Sequence, residues 1–140
     1  MKKSLWVLLA VVVLSALVLT ACGGGQAKTE TKPVPADYAG KTNPLGSDAA
    51  VTDAGKEVYD LNCVTCHGES GKGDGPAGAS LDPKPANFSE RLPEVQDDFI
   101  FWVINEGGAA AGLSPSMASY KGVLSEDEMW QVTAYIRTLK

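Results

Sequence analysis

The sequence predicts one small helical domain at the C-terminal end of a chain of 140 residues. Three segments within residues 52–140 have the apolar spacing or the end signals of helices. No alternating pattern of strands and helices is present, and no internal repeat or second linker divides the region. We therefore expect a single domain over residues 52–140, preceded by a leader and a linker.

The first predicted helix, TDAGKEVYDLNCVTCH, begins near Thr52 or Asp53, either of which is a plausible N-cap. Residues at spacings of three and four then mark one side of a helix. They are Gly55, Val58, Tyr59, Asn62, Cys63, Cys66 and His67. This helix should lead directly into the two cysteines.

The second segment, DDFIFWVINEGG, contains six consecutive apolar residues and fits a buried strand as well as a buried helix. Asp97 and Asp98 before the run and Gly107 after it favour a helix. The last segment, LSEDEMWQVTAYIRTLK, is the clearest helix, because Ser125 and Glu128 form a capping-box pattern. Its predicted core stripe is Met129, Val132, Ile136 and Leu139.

Cys63, Cys66 and His67 form the pattern Cys-x-x-Cys-His, which is typical of covalent c-type haem attachment. Their spacing places two thiols and an imidazole on one side of a helical turn. The thiols can then add across the two haem vinyl groups while the histidine reaches the iron. We expect one haem c, attached through Cys63 and Cys66, with His67 as an axial ligand.

Other uses of the same residues fit less well. A structural zinc ion needs four protein ligands, and no further Cys or His remains if Cys22 is lipidated. A thioredoxin-like pair would follow a strand, and a plain disulfide would not need His67. The run Gly73–Gly78 matches the letters of a nucleotide-binding glycine motif, but without a preceding strand it is better interpreted as a loop.

A methionine is the natural candidate for the second axial position, because the chain contains a single histidine. Met129 is assigned to the core stripe of the last helix. Met117 lies in GLSPSMASY, a loop stretch without apolar periodicity, and loops commonly carry functional residues. We interpret Met117 as the ligand; the alternative is a methionine that fills a gap in the core.

The N-terminus has the layout of a secretory signal: a basic head, MKK, precedes an apolar run of roughly 16 residues. The run closes on Leu-Thr-Ala-Cys, which resembles the lipobox of bacterial lipoproteins. This implies that residues 1–21 are a signal peptide, that Cys22 carries lipid, and that the protein is exported and anchored to a membrane at its periplasmic or extracellular face. The alternative is that Cys22 is incidental, in an uncleaved anchor or at an ordinary cleavage site.

Residues 22–51 are rich in Gly, Pro, Thr and Lys, which predicts a flexible linker with an r.m.s. span of roughly 30 Å. Removal of Lys2 and Lys3 with the signal peptide would leave 10 basic residues against 17 acidic residues. An acidic surface disfavours nucleic acid and suits a basic docking partner, although charge can also serve solubility alone.

Residues 52–140 resemble the class I cytochrome c family. The resemblance is carried by CVTCHG, by GDGP, by INEGG and by MASYKGVLSEDEMWQVTAYIRTL, and above all by the Cys-x-x-Cys-His pattern and the position of Met117 ahead of the last helix. It implies an all-α, single-domain fold around one covalent haem. It also implies that the first and last helices cross closely, with Gly55 and Tyr59 facing the region of Trp130 and Tyr135.

The resemblance further implies that the carbonyl of Pro76 accepts a hydrogen bond from Nδ1 of His67, which would orient the ring. The alternative is that Pro76 only stiffens a turn. Many members of the family place a proline directly after the methionine ligand, whereas here Ala118 follows Met117 and Pro115 precedes it by two residues.

An iron with both axial positions filled by protein does not easily bind substrate, so its expected task is outer-sphere electron transfer. The sequence predicts a lipid-anchored monohaem carrier, or the haem subunit of a respiratory or photosynthetic complex, that is not an enzyme. Its partners would be redox proteins and the membrane, not nucleic acid or a small-molecule substrate. The alternative is a haem enzyme or gas sensor with an open or displaceable sixth position, which the lack of a second histidine disfavours.

Overall fold

The computed structural model describes residues 31–139. Within this range the chain forms helices and no strand, so the predicted all-α class is confirmed. The α-helices are α1 (Ala49–Asn62), α2 (Val64–His67), α3 (Phe88–Arg91), α4 (Asp97–Glu106) and α5 (Glu126–Ile136). Short 3₁₀ helices lie at Gly78–Ser80, Leu92–Glu94 and Gly108–Ala111. In this part of the chain no helix has the length and apolar character needed to cross a membrane.

Helix α1 begins earlier than predicted, with its N-cap four residues before Thr52. Its N-cap is Asp48, whose carboxylate accepts a hydrogen bond from the backbone N–H of Val51 at 3.0 Å. Thr52, one of the two predicted caps, instead donates its hydroxyl to the Asp48 carbonyl from inside the first turn. Both aspartate and threonine are good N-caps, and here the aspartate upstream takes the position.

Helix α4 confirms the helical interpretation of the central apolar run. It ends at Gly107, which has a φ of 81°. Its residues Phe99 to Ile104 are all buried, so no side of the helix faces water. The ring of Tyr38 lies over part of it, 6.2 Å from the ring of Phe101 and 6.4 Å from that of Trp102.

Helix α5 has the predicted capping box: the Ser125 hydroxyl accepts from the Glu128 backbone N–H, and the Glu128 carboxylate accepts from the Ser125 backbone N–H. Met129, Val132 and Ile136 of the predicted stripe are buried. Leu139 lies beyond the end of the helix and is half-buried. Local pattern therefore predicted both the start of this helix and most of its core face.

Helices α1 and α5 make the most extensive helix–helix contact in the described residues. A Cβ atom on Gly55 would lie 2.0 Å from the backbone oxygen of Gln131, so only glycine permits this approach. Four residues further along, the rings of Tyr59 and Tyr135 lie 5.2 Å apart. The close crossing implied by the family resemblance is confirmed.

We expect Gly55→Ala to lower the free energy of unfolding by about 2 kcal/mol, because the added methyl group meets backbone and cannot be accommodated by a side-chain rotation. Alanine is the better helix former, so a loss of stability would be due to the crossing and not to helix propensity. The measurement is denaturant unfolding of the haem-loaded protein. Glu57→Ala, at an exposed position of the same helix, is the control; equal midpoints for the two variants would contradict the prediction.

Residues 31–48, which we call the strap, lie against the domain. Val34, Tyr38 and Leu45 pack on the hydrophobic core. Asn43 donates its side-chain amide to the Trp130 carbonyl at 2.9 Å, and the Gly40 N–H donates to the Asp98 carboxylate at 2.8 Å. The predicted flexible linker over residues 22–51 is therefore wrong for 31–48.

The folded unit accordingly starts well before residue 52. The strap contacts were missed because they come from single side chains at irregular intervals, which leave no apolar period in the sequence. The predicted signal peptide, residues 1–21, and the predicted lipidation site, Cys22, lie outside the described residues.

Candidate functional site

The two cysteines and the histidine lie on one tight turn between α1 and α2. Cys63 follows the last residue of α1 and is the N-cap of α2. Its carbonyl accepts the backbone N–H of Cys66 at 3.1 Å and that of His67 at 2.9 Å. Both thiols are free and half-buried. The turn therefore presents the three groups of the motif together, as the spacing predicted.

The environment of Cys63 does not suit thiol exchange. Burial raises the pKa of the Cys63 thiol to about 12, with a smaller contribution from neighbouring Cys66. Thioredoxin-like cysteines have lowered pKa values, because the thiolate is the nucleophile. The pair also follows helix α1 and not a strand, so the redox-motif alternative fails on both grounds.

His67 has a buried ring nitrogen without a protein partner. Nδ1 makes no hydrogen bond in the described part of the chain, and the ring stacks on Phe88 at 4.7 Å. Burial lowers the pKa of His67, which favours the neutral imidazole that binds metals; the backbone of Ala86 opposes this shift in part. A neutral imidazole on the same turn as two thiols is what covalent haem attachment with histidine ligation requires, so this residue fits a bound haem.

The glycine-rich run wraps around the end of α2. A Cβ atom on Gly75 would lie 2.5 Å from the Thr65 oxygen, and one on Gly78 would lie 2.0 Å from the Cys66 oxygen. The N–H of Ala77 binds the Thr65 carbonyl at 2.9 Å. The glycines thus serve close packing against the cysteine turn, and the accidental match to a nucleotide-binding motif has no structural counterpart.

Pro76 lies in this wrapped loop, between Gly75 and Ala77. The hydrogen bond expected from Nδ1 of His67 to the Pro76 carbonyl is not formed, since that nitrogen has no partner among the residues described. The role of Pro76 stays a prediction; the residues on either side of it, Gly75 and Ala77, pack against α2.

Met117 lies in the loop that follows α4 and the 3₁₀ helix Gly108–Ala111. Its carbonyl accepts the Gly108 N–H at 2.9 Å, and its own N–H donates to the Ser114 carbonyl at 3.2 Å. The side chain is half-buried and packs against the core. Met129, by contrast, is 5% exposed inside α5. The loop position of Met117 and the core position of Met129 are as predicted.

Tyr120 brings the methionine loop to the cysteine turn, although no sequence motif singles it out. Its hydroxyl donates to the carbonyl of Asn62, the residue before Cys63, at 2.8 Å. Its pKa is raised by burial and then by the nearby thiols of Cys63 and Cys66. Because Tyr120 is three residues after Met117, the two halves of the predicted site meet at this point.

Comparison with known proteins decides the family. Residues 52–140 match the family model for cytochrome c. The chain belongs to the cytochrome c family. A curated relative, cytochrome c-554(547) of Halothiobacillus neapolitanus, is 35% identical over 91 residues, which cover 62% of this chain and 94% of that protein.

Two further relatives belong to larger assemblies. The cbb3-type cytochrome c oxidase subunit CcoP of Azospirillum brasilense is 40% identical over 50 residues, which are 36% of this chain and 17% of that protein. A chain of the reducing HAO-like protein complex of Kuenenia stuttgartiensis superimposes with a TM-score of 0.56 at 28% identity, covering 69% of this chain and 46% of that one. This chain therefore matches less than half of either protein.

As a member of this family the protein carries one covalently bound haem c, and Cys63 and Cys66 are the thiols available to hold it. The family and its relatives assign haem-based electron transfer. Within residues 31–139 no cluster of three His, Cys, Asp or Glu side chains could hold a separate metal ion. The zinc alternative therefore has no site in the described residues.

Proposed function

We propose that this cytochrome is a lipid-anchored monohaem electron carrier whose iron is bound by His67 and Met117. The observation that supports it most directly is the single turn that presents Cys63, Cys66 and a half-buried His67 together. The haem would supply an iron that cycles between its ferric and ferrous states. The residues of this chain attach it, ligate it and exclude water.

Met117 is supported as the second ligand by its surroundings. Two backbone hydrogen bonds hold the loop at Met117. Gly108 also packs closely on this residue, since a Cβ atom on Gly108 would lie 3.1 Å from the Cβ of Met117. The loop also contacts the cysteine turn through Tyr120. A half-buried thioether held this way is available to a group bound at that turn, and a Met/His pair raises the reduction potential.

With both axial positions occupied, substrate has no open position at the iron. His67 and Met117 would hold the iron with no bond formed or broken while single electrons pass between a donor protein and an acceptor protein. This describes a carrier, or the haem subunit of a redox complex, and not an enzyme. The excess of acidic residues fits partner proteins with basic docking surfaces.

The test is the absorption spectrum of the exported, haem-loaded protein, oxidised and reduced, with and without carbon monoxide. Low-spin iron with the weak long-wavelength sulfur-to-iron band, unchanged by carbon monoxide, is the expected result. High-spin iron that binds the gas readily would remove Met117 from the site and would favour a gas sensor or haem enzyme.

Membrane attachment would follow from lipid on Cys22. The strap begins nine residues after Cys22, a distance that extended chain can span over at most roughly 30 Å. Because the strap lies against the domain, the haem would stay close to the membrane surface. This favours exchange with membrane-bound partners at the periplasmic or extracellular face.

We expect Cys22→Ser to move the haem-loaded protein from the membrane fraction to the soluble exported fraction, because a stable anchor needs the lipid chains. The measurement is the haem absorbance of each fraction after cell breakage. Ser4→Ala, in the leader, is a control that should leave the protein in the membrane fraction. Retention of the Cys22→Ser protein in the membrane would contradict lipid anchoring.

A further inference from the structure

The strap is attached to the part of the domain that carries Met117. Tyr38 donates its hydroxyl to the carboxylate of Glu106, at the end of α4, and accepts a hydrogen bond from the side chain of Asn105 at 2.9 Å. Near the start of the strap, the N–H of Lys32 binds the carbonyl of Ala111 at 3.0 Å. The strap lies entirely outside residues 52–140, which the family model matches, so these contacts are additions to the family domain.

The residues that bind Tyr38 also hold the chain that follows Met117. The Glu106 oxygen that accepts from Tyr38 also accepts from Nζ of Lys121 at 2.9 Å. The Asn105 carbonyl accepts the N–H of Lys121 at 3.1 Å and the hydroxyl of Ser119. Tyr38 and Lys121 therefore meet on one carboxylate, and Lys121 is four residues beyond Met117.

The methionine loop is thus held at both ends by the segment that the strap secures. Before Met117, the 3₁₀ helix Gly108–Ala111 receives the strap at Ala111 and binds the Met117 carbonyl through Gly108. After Met117, residues 119–121 bind the carbonyls of Ile104 and Asn105. Burial and the Glu106 carboxylate raise the pKa of Tyr38 to about 12, so its hydroxyl remains a donor near neutral pH.

We propose that Tyr38 is a positioning residue for the iron: through Glu106 and Lys121 it stabilises the closed form of the Met117 loop and so limits displacement of the methionine. This rests on the proposed ligation by Met117. An external ligand can bind the iron only in molecules whose Met117 loop is open. Its apparent affinity therefore rises with the fraction of molecules that are open. Weakening the closed form raises that affinity.

The test is imidazole binding to the oxidised, haem-loaded full chain, followed by loss of the long-wavelength sulfur-to-iron band. Tyr38→Phe keeps the ring over α4 and removes only the hydroxyl. We expect about fivefold tighter imidazole binding, the factor that corresponds to one net hydrogen bond. Unchanged affinity in Tyr38→Phe, with the band present in the wild type, would overturn the inference and leave the ligation intact.

Asn43→Ala is the matched control, because it removes a strap contact with α5 at the Trp130 carbonyl and not with the Met117 loop. We expect Asn43→Ala to lose about as much thermal stability as Tyr38→Phe does, while its affinity for imidazole stays that of the wild type. If Asn43→Ala tightens imidazole binding as much as Tyr38→Phe does, the strap acts only as general packing and the inference fails. A wild type that lacks the sulfur-to-iron band would instead refute the proposed ligation itself.

A double variant tests the path. If Tyr38 acts through Glu106 and Lys121, the effects of Tyr38→Phe and Lys121→Met on imidazole affinity should be less than additive, since both remove partners of one carboxylate. Full additivity would show that the two residues act independently, and would overturn the proposed path.

Discussion

Met117→Ala is expected to abolish the long-wavelength sulfur-to-iron band and to let the reduced protein bind carbon monoxide stoichiometrically. The chain has no second histidine, and Met129 is buried in α5, so neither another histidine nor Met129 is placed to substitute. Loss of the thioether ligand should also lower the reduction potential, because a Met/His pair raises it. The measurements are absorption spectra with and without carbon monoxide and a redox titration.

The second methionine provides the control. Met129→Leu keeps volume and apolarity in the core, and should cost less than about 1.5 kcal/mol of stability with no change in the spectrum or in carbon monoxide binding. If Met129→Leu allowed carbon monoxide to bind and Met117→Ala did not, the assignment of the two methionines would be reversed. If neither did, another group would hold the sixth position.

Replacing both attachment cysteines, as Cys63→Ala with Cys66→Ala, is expected to leave the domain largely unfolded. A domain of this size buries a limited core of its own, and covalent haem would add a large apolar surface to it. Circular dichroism should show loss of most helical signal, and denaturant should give no cooperative transition. The purified chain should lack haem absorbance.

Cys22→Ser is the matched control for that experiment, because it removes the remaining cysteine of the chain and should retain covalent haem and native helicity. A native-like helical spectrum in the Cys63/Cys66 double variant would contradict the prediction. It would show that the packing of α1, α4 and α5 suffices without the cofactor.

Much of this structure could be predicted because its signals are local. The Ser125 and Glu128 capping box involves residues three apart, and the haem motif is confined to the five residues from Cys63 to His67. The apolar run of α4 was ambiguous by period alone, and its flanking Asp97, Asp98 and Gly107 correctly indicated a helix. Such interactions leave fixed spacings in the sequence, which need no knowledge of the fold.

Other features depend on residues that are distant in the chain. Tyr38 reaches Glu106 across 68 positions, and Asn43 reaches Trp130 across 87, so the strap looked like a linker. No local pattern indicated that Tyr120 contacts the cysteine turn; only the fold brings its hydroxyl to the Asn62 carbonyl. The Pro76 bond was expected from family resemblance, but the orientation of the His67 ring, stacked on Phe88, decides which partners Nδ1 can reach.

The sequence by itself determined the helical class, the cysteine motif that defines the cofactor, and the placement of Met117 in a loop and of Met129 in the core. These follow from spacing within a turn or from residue counts. Only the tertiary structure decided where the domain begins and what holds the Met117 loop. The physical reason is that a single hydrogen bond or ring contact between distant segments stabilises the fold without imposing any period on the residues that make it.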